Sequence, residues 1–123
     1  MTRCAVLVVD DDPVIVATTV ELLAFEGYPV QTATNGAEAL EEVERHRPDI
    51  VLLDMGMPVM DGWSFVRELH ARHIDLQILV MTAARDAQAS ADAIQAQGFL
   101  PKPFKLDQLL TQMERLCAAR PIE

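Results

Sequence analysis

Short apolar runs alternate five times with longer segments of helical spacing, and no other feature of the sequence restricts the fold as strongly. Residues 5–9 (AVLVV) are too few for a helix and rich in Val, as suits a strand buried on both faces. Asp12 then offers a helix cap and Pro13 a first-turn proline, and residues 14–26 carry apolar side chains at helical spacing until Gly27 supplies a stop. The pattern repeats, with strands expected at 28–33, 49–53, 77–81 and 99–100 and helices at about 36–45, 62–72, 87–95 and 106–118. Asp61 with Gly62 reads as the turn that starts the third helix. Strands joined through helices need crossovers, and right-handed crossovers cover both faces of a parallel sheet, so the fold class is doubly wound α/β.

Size and charge narrow the function. At 123 residues, half of them hydrophobic, the chain reads as one domain, 1–123, with no output domain inside it. A net charge of −9 would repel the phosphates of nucleic acid and anionic lipid, so direct nucleic acid binding is not expected. The apolar runs fall far below the ~20 residues needed to span a bilayer, and the first residues do not resemble a secretory leader. The expectation is a soluble, cytoplasmic protein with no membrane partner. Cys4 and Cys117 lie near opposite ends, without C-x-x-C spacing or a neighbouring His cluster; they read as packing residues rather than a disulfide or a zinc site.

In an open α/β sheet ligands bind outside the carboxyl ends of the strands. Here those ends carry Asp10 and Asp11 after the first run, Asp54 after the third, Thr82 after the fourth, and Lys102 between two prolines after the fifth. Gathering three carboxylates is costly, since unit charges ~4 Å apart repel by about 4 kcal/mol at an effective dielectric near 20. A hard divalent cation would offset that cost, with Asp11 and Asp54 as direct ligands and Asp10 acting through water. Lys102 would add the remaining positive charge. Asp54 could then attack a phosphoryl group in line while the metal, Lys102 and the Thr82 hydroxyl neutralise the developing charge.

The segments VVDDDP, VLLDMGMPVMDG, VMTA and KPF, in this order and spacing, resemble the receiver domain of two-component response regulators over essentially the whole chain. The resemblance implies a flavodoxin-like (βα)5 sheet of five strands in the order 2-1-3-4-5. It implies that Asp54 accepts a phosphoryl group and that Mg2+, or Mn2+ in its place, is held by Asp11, Asp54 and the backbone carbonyl of Gly56. Thr82 and Phe99 match the family's switch residues and Lys102 its motif lysine, and a cis peptide between Lys102 and Pro103 is implied. The partners would be a histidine kinase or histidine phosphotransfer protein upstream and a protein target downstream. In that pattern phosphorylation alters the face made by the fourth helix, fifth strand and fifth helix. No basic residue lies between Arg85 and Lys102, so a monomer is expected.

Two departures stand out. Gly56 and Ala84 offer no polar side chain to orient an attacking water, which predicts slow loss of the phosphoryl group. Gln95 stands where the family often has a helix-ending glycine, and Gln accepts the left-handed conformation poorly, so an irregular helix end is expected. Asp12 reads as a cap rather than a metal ligand, His46, His70 and His73 lie away from the acidic edge, and Met55, Met57 and Met60 read as packing. Asp10 to Val14 also satisfies D-x-D-x-[TV], the pattern of haloacid-dehalogenase-like phosphohydrolases, but such enzymes need a cap and a later acidic motif that the chain lacks. A third reading is a phosphate-independent adaptor, disfavoured by the complete acid, Thr and Lys set.

Overall fold

The structure is a computed structural model that describes residues 4–55 and 60–119, and for residues 83–87 and 119 the backbone only. Its elements run β1 (Val6–Val9), α1 (Pro13–Phe25), β2 (Val30–Ala33), α2 (Gly36–Arg45), β3 (Ile50–Asp54), α3 (Gly62–Ala71), β4 (Gln77–Ala83), α4 (Ala84–Ile94), β5 (Gly98–Lys102) and α5 (Leu106–Ala119). All four strand pairings are parallel, in the order β2-β1-β3-β4-β5, the order the resemblance implied. Chain order reverses between β1 and β3, which places a crevice above their C-terminal ends.

Alternation along each strand divides the core into two layers. Val6, Val8, Ile50, Leu52, Leu79, Met81 and Leu100 face one side, where they meet Leu23 of α1 and Leu109, Met113 and Leu116 of α5. Leu7, Val9, Val51, Leu53, Ile78 and Val80 face the other, against Leu40 and Val43 of α2, Phe65, Val66 and Leu69 of α3, and Ala91 and Ile94 of α4. A strand with helices on both faces can be apolar throughout, which is why residues 6–9 and 50–53 are uninterrupted Val, Leu and Ile.

Several boundaries differ from the sequence reading. β4 continues through Ala83 and α4 follows at once, three residues ahead of the expected start. β5 takes in Pro101 and Lys102; it is an edge strand, where a residue without an N–H leaves no ladder bond unmade. Helix ends explain two more positions. In α1, α3 and α4 an N–H two or three residues past the helix donates to a carbonyl five residues back: Tyr28 to Leu23 (3.0 Å), Ile74 to Leu69 (2.9 Å) and Ala96 to Ala91 (2.8 Å). This closing motif needs a left-handed residue just before that donor. The three are Gly27 (φ 91°), His73 (φ 56°) and Gln95 (φ 57°). Gln95 therefore does not end its helix irregularly; it adopts the glycine conformation at a cost.

Cys4 and Cys117 are not the separate packing residues that their spacing suggested. Cys4 and Cys117 are joined in a disulfide with their Cα atoms 5.9 Å apart. Spacing along the chain could not show this, because β1 lies inside the sheet and α5 packs back across it 113 residues later.

Candidate functional site

The C-terminal ends of β1 and β3 bring Asp10, Asp11 and Asp54 together, with one carboxylate oxygen from each lying within 4.8 Å of the others. Adjacent register sets this up: Val9 pairs with Leu53, so the residues that follow each strand emerge side by side. Asp10 is 1% exposed and Asp54 8%, while Asp11 stands in solvent. Lys102, at the end of β5, reaches across the top of the sheet; its Nζ donates to Asp10 Oδ2 at 2.8 Å and lies 3.8 Å from Asp54 Oδ1. The Lys102–Pro103 peptide is cis.

Among the described residues, three carboxylates and one ammonium bring a net negative charge into a partly buried space. An all-oxygen donor set with that surplus fits a hard divalent cation and would be a poor site for a soft one. Asp10 already uses both oxygens within the protein, Oδ2 for Lys102 and Oδ1 for the Asp12 N–H (3.0 Å), which suits a role through water better than direct ligation. Asp12 turns away and caps α1, its Oδ1 accepting from the Val14 N–H at 2.9 Å and the Ile15 N–H at 3.4 Å. That commitment also removes the second aspartate of the D-x-D hydrolase pattern from the site. Gly56, expected to lend a backbone carbonyl, lies outside the described residues, as does Met57.

The loop between β3 and α3 is held at both ends. The Gly62 N–H donates to the Met55 carbonyl (3.3 Å), and the Gly36 N–H, at the start of α2, donates to the Met60 carbonyl (2.8 Å). Both glycines permit close approach: a Cβ on Gly62 would stand 2.6 Å from Met55 Sδ and 3.2 Å from the Asp54 carbonyl oxygen, and one on Gly36 2.6 Å from the Met60 carbonyl oxygen. Sequence reading took Gly62 for part of a turn and missed its contact with the backbone of Asp54; no side-chain chemistry advertises such a role. Asp61 caps α3 as expected, and the bond from the Ser64 N–H (2.9 Å) holds its carboxyl below the usual range. His46 follows α2 ahead of β3, and His70 and His73 lie at the end of α3 ahead of β4, so all three sit toward the strand ends opposite the acidic edge.

Thr82 and Phe99 are both half-buried on the sheet's far strands. Asp54 pairs with Met81, so Thr82 is the next residue out on the neighbouring strand, and Phe99 pairs with Val80. Partners in a parallel ladder share a face, as do residues two apart on one strand. Thr82 and Phe99 accordingly lie on one face, the side covered by α2, α3 and α4.

A model of the response regulator receiver domain family matches residues 6–114. The chain is 43% identical over 114 residues to the response regulator MprA of Mycobacterium sp. (strain KMS), covering 90% of this chain and 49% of that protein. It is equally similar to the MprA response regulator of Mycobacterium leprae (strain TN), covering 50% of it, so the chain spans about half the length of these relatives. Among solved structures, a putative response regulator from Chloroflexus aurantiacus J-10-fl superposes with a TM-score of 0.85 at 28% identity, over 95% of this chain and 99% of that one. The chemotaxis response regulator CheY4 of Vibrio cholerae superposes with a TM-score of 0.83 at 34% identity, over 94% and 99%.

Proposed function

The chain belongs to the response regulator receiver domain family, and from that premise we propose that Asp54 accepts a phosphoryl group from a histidine kinase or histidine phosphotransfer protein in a Mg2+-dependent reaction. The observation that carries this reading is the triad of Lys102, Asp10 and Asp54, with one ammonium 2.8 Å and 3.8 Å from two nearly buried carboxylates. An Asp54 oxygen forms the new bond to phosphorus, the donor's imidazole nitrogen departs, and the product is an acyl phosphate. Lys102 stays close to Asp54 throughout and balances charge that gathers on the phosphoryl oxygens. Asp10 fixes that ammonium in place. Asp11 and Asp54 would hold Mg2+ directly, with Asp10 through water and the Gly56 carbonyl as a further ligand; the ion supplies charge neutralisation at the phosphoryl oxygens.

A donor protein must reach a carboxylate that is 8% exposed, so it has to cover the rim around it. On one side that rim is apolar: Val14, 71% exposed, Ile15, Thr18 and Leu22 of α1 line a groove of about 510 Å3 with Lys102, Pro103 and Phe104. Lys102 belongs to both, which supports this groove as the surface that meets the donor. The output is the flank where α4, β5 and α5 meet and Phe99 lines a smaller groove with Asp107, Gln108 and Thr111. There the domain binds its protein target as a monomer; it is a signalling switch rather than an enzyme acting on an external substrate.

Incubation with acetyl phosphate and Mg2+ should add one phosphoryl group by intact mass. Chelation should abolish it, and unchanged labelling of Asp54→Ala would overturn the assignment. Following the same mass with time should show slow decay, because Gly56 and Ala84 provide no polar group for an attacking water. Fast decay unaffected by substitution at Ala84 would place control of water elsewhere.

A further inference from the structure

Cys4 and Cys117 meet at the end of the sheet away from the carboxylates, since Cys4 precedes β1 whereas Asp10 follows it. Cys4 is 1% exposed in the core layer beneath α1 and α5, and Cys117 is half-buried on the last turns of α5. The same stretch of α5 has two further attachments. The Gln77 side-chain amide at the start of β4 donates to the Leu116 carbonyl, and the Arg115 guanidinium donates to the Gln97 carbonyl (3.0 Å) ahead of β5. The end of α5 is thus tied to the starts of β1 and β4 and to the turn before β5. Two of those ties are exchangeable polar bonds at a partly solvated surface, and only the third is covalent.

We propose that Cys4 and Cys117 form a reversible thiol–disulfide couple that sets how firmly the end of α5 is held to the sheet. The half-buried Cys117 thiolate attacks one sulfur of a low-molecular-weight disulfide such as oxidised glutathione and displaces one thiolate. Cys4, whose Cα is 5.9 Å from that of Cys117, then attacks the Cys117 sulfur and displaces the second. Two protein thiols become one disulfide, the reagent disulfide is reduced to two thiols, and the two protons pass to the released thiolates. Reduction reverses each step. The link closes a loop spanning 113 positions, nearly the whole chain, so it restricts the unfolded ensemble strongly while leaving the phosphoacceptor end of the sheet untouched. In a compartment that keeps thiols reduced, a pair of this kind responds to oxidation rather than serving as a permanent staple.

The full chain, reduced and freed of reductant, is titrated with mixtures of oxidised and reduced glutathione, quenched with iodoacetamide and weighed intact. Both thiols should disappear together, with no retained glutathione and no dimer, and reappear together on reduction. The oxidised form should melt at least about 5 °C above the reduced one. Amide exchange over residues 109–117 should also be slower in it. Cys117→Ser should melt at one temperature whatever the oxidant. Thiols that remain alkylatable in excess oxidised glutathione, a stable glutathione adduct, an intermolecular dimer, or equal melting temperatures of the two wild-type forms would each overturn the proposal.

Discussion

Lys102→Met tests the charge balance at the carboxylate cluster, because it removes the ammonium and keeps the length of the stem. At an effective dielectric near 20, the gross attraction is about 6 kcal/mol to Asp10 at 2.8 Å and about 4 kcal/mol to Asp54 at 3.8 Å. Most of that is offset by the cost of drying the ions. Breaking a buried pair by removing one partner costs about 3 to 5 kcal/mol, and Lys102 is 23% exposed with Asp11 in solvent beside it, so the low end applies. Without Mg2+, urea unfolding should show a loss of about 3 kcal/mol. With Mg2+ the gap should narrow: the ion no longer meets a cation, binds the variant more tightly, and stabilises it according to that affinity. Labelling by acetyl phosphate should still fall, since tighter metal binding does not replace the ammonium at the phosphoryl oxygens. A variant as stable as the parent without Mg2+, or a gap that widens when Mg2+ is added, would refute the reasoning.

Asp11→Ala should weaken Mg2+ binding and phosphorylation together while circular dichroism stays unchanged, and relief of like-charge repulsion should leave the metal-free protein no less stable. Gln95→Gly, at φ 57°, should raise stability by about 1 kcal/mol in urea unfolding, because glycine adopts that conformation without a Cβ clash. Asp61→Ala removes the cap of α3 and should cost about 1 kcal/mol at neutral pH. The folded state lowers the Asp61 carboxyl below its unfolded value, so its contribution is complete above the unfolded pKa and disappears as pH falls through the folded one. Parent and variant should therefore converge in acid, and a difference that persists there would show that Asp61 stabilises by packing instead.

What could be read from the sequence follows from which interactions have a periodic or terminal signature. The doubly wound sheet was legible because strands covered on both faces must be apolar throughout, as residues 50–53 are. Lys102 could be placed with Asp10 because strand ends in such a sheet converge on one edge. Helix ends show the limit: Gly27 announced its left-handed turn, whereas His73 and Gln95 adopt the same turn with side chains that ordinarily avoid it. There the packing of Ile74 and the closing bonds to Leu69 and Ala91 outweigh local preference. The close approaches of Gly36 and Gly62 and the meeting of Cys4 with Cys117 have no local signature at all, since each depends on backbone or side chains brought up from distant parts of the chain.

The proposed switch needs an element that a change at Asp54 can move for little free energy, and the core on the side of the sheet shared by Thr82 and Phe99 points to α4. Among the described residues α3 buries Phe65, Val66 and Leu69, and α5 buries Leu109, Met113 and Leu116. α4 buries Ser90, Ala91 and Ile94, so a single large apolar side chain holds it, and it ends on a strained Gln95. An element with little buried apolar surface lies at the low end of local stability. Thr82 stands one residue past the partner of Asp54, and Phe99 lies on the same face of the next strand, below α4. A hydroxyl drawn toward a phosphoryl group and an aromatic ring taking the space it leaves would repack the floor of the helix that, among the described residues, is least anchored on their side of the sheet, where α2 buries Leu40 and Val43 and α3 three large side chains. A coupling of about 2 kcal/mol, within reach of one charge-assisted hydrogen bond, shifts such an equilibrium roughly thirtyfold. The same bond directed at α3 would have to displace three large side chains, at several kilocalories each, and would leave the population almost unchanged.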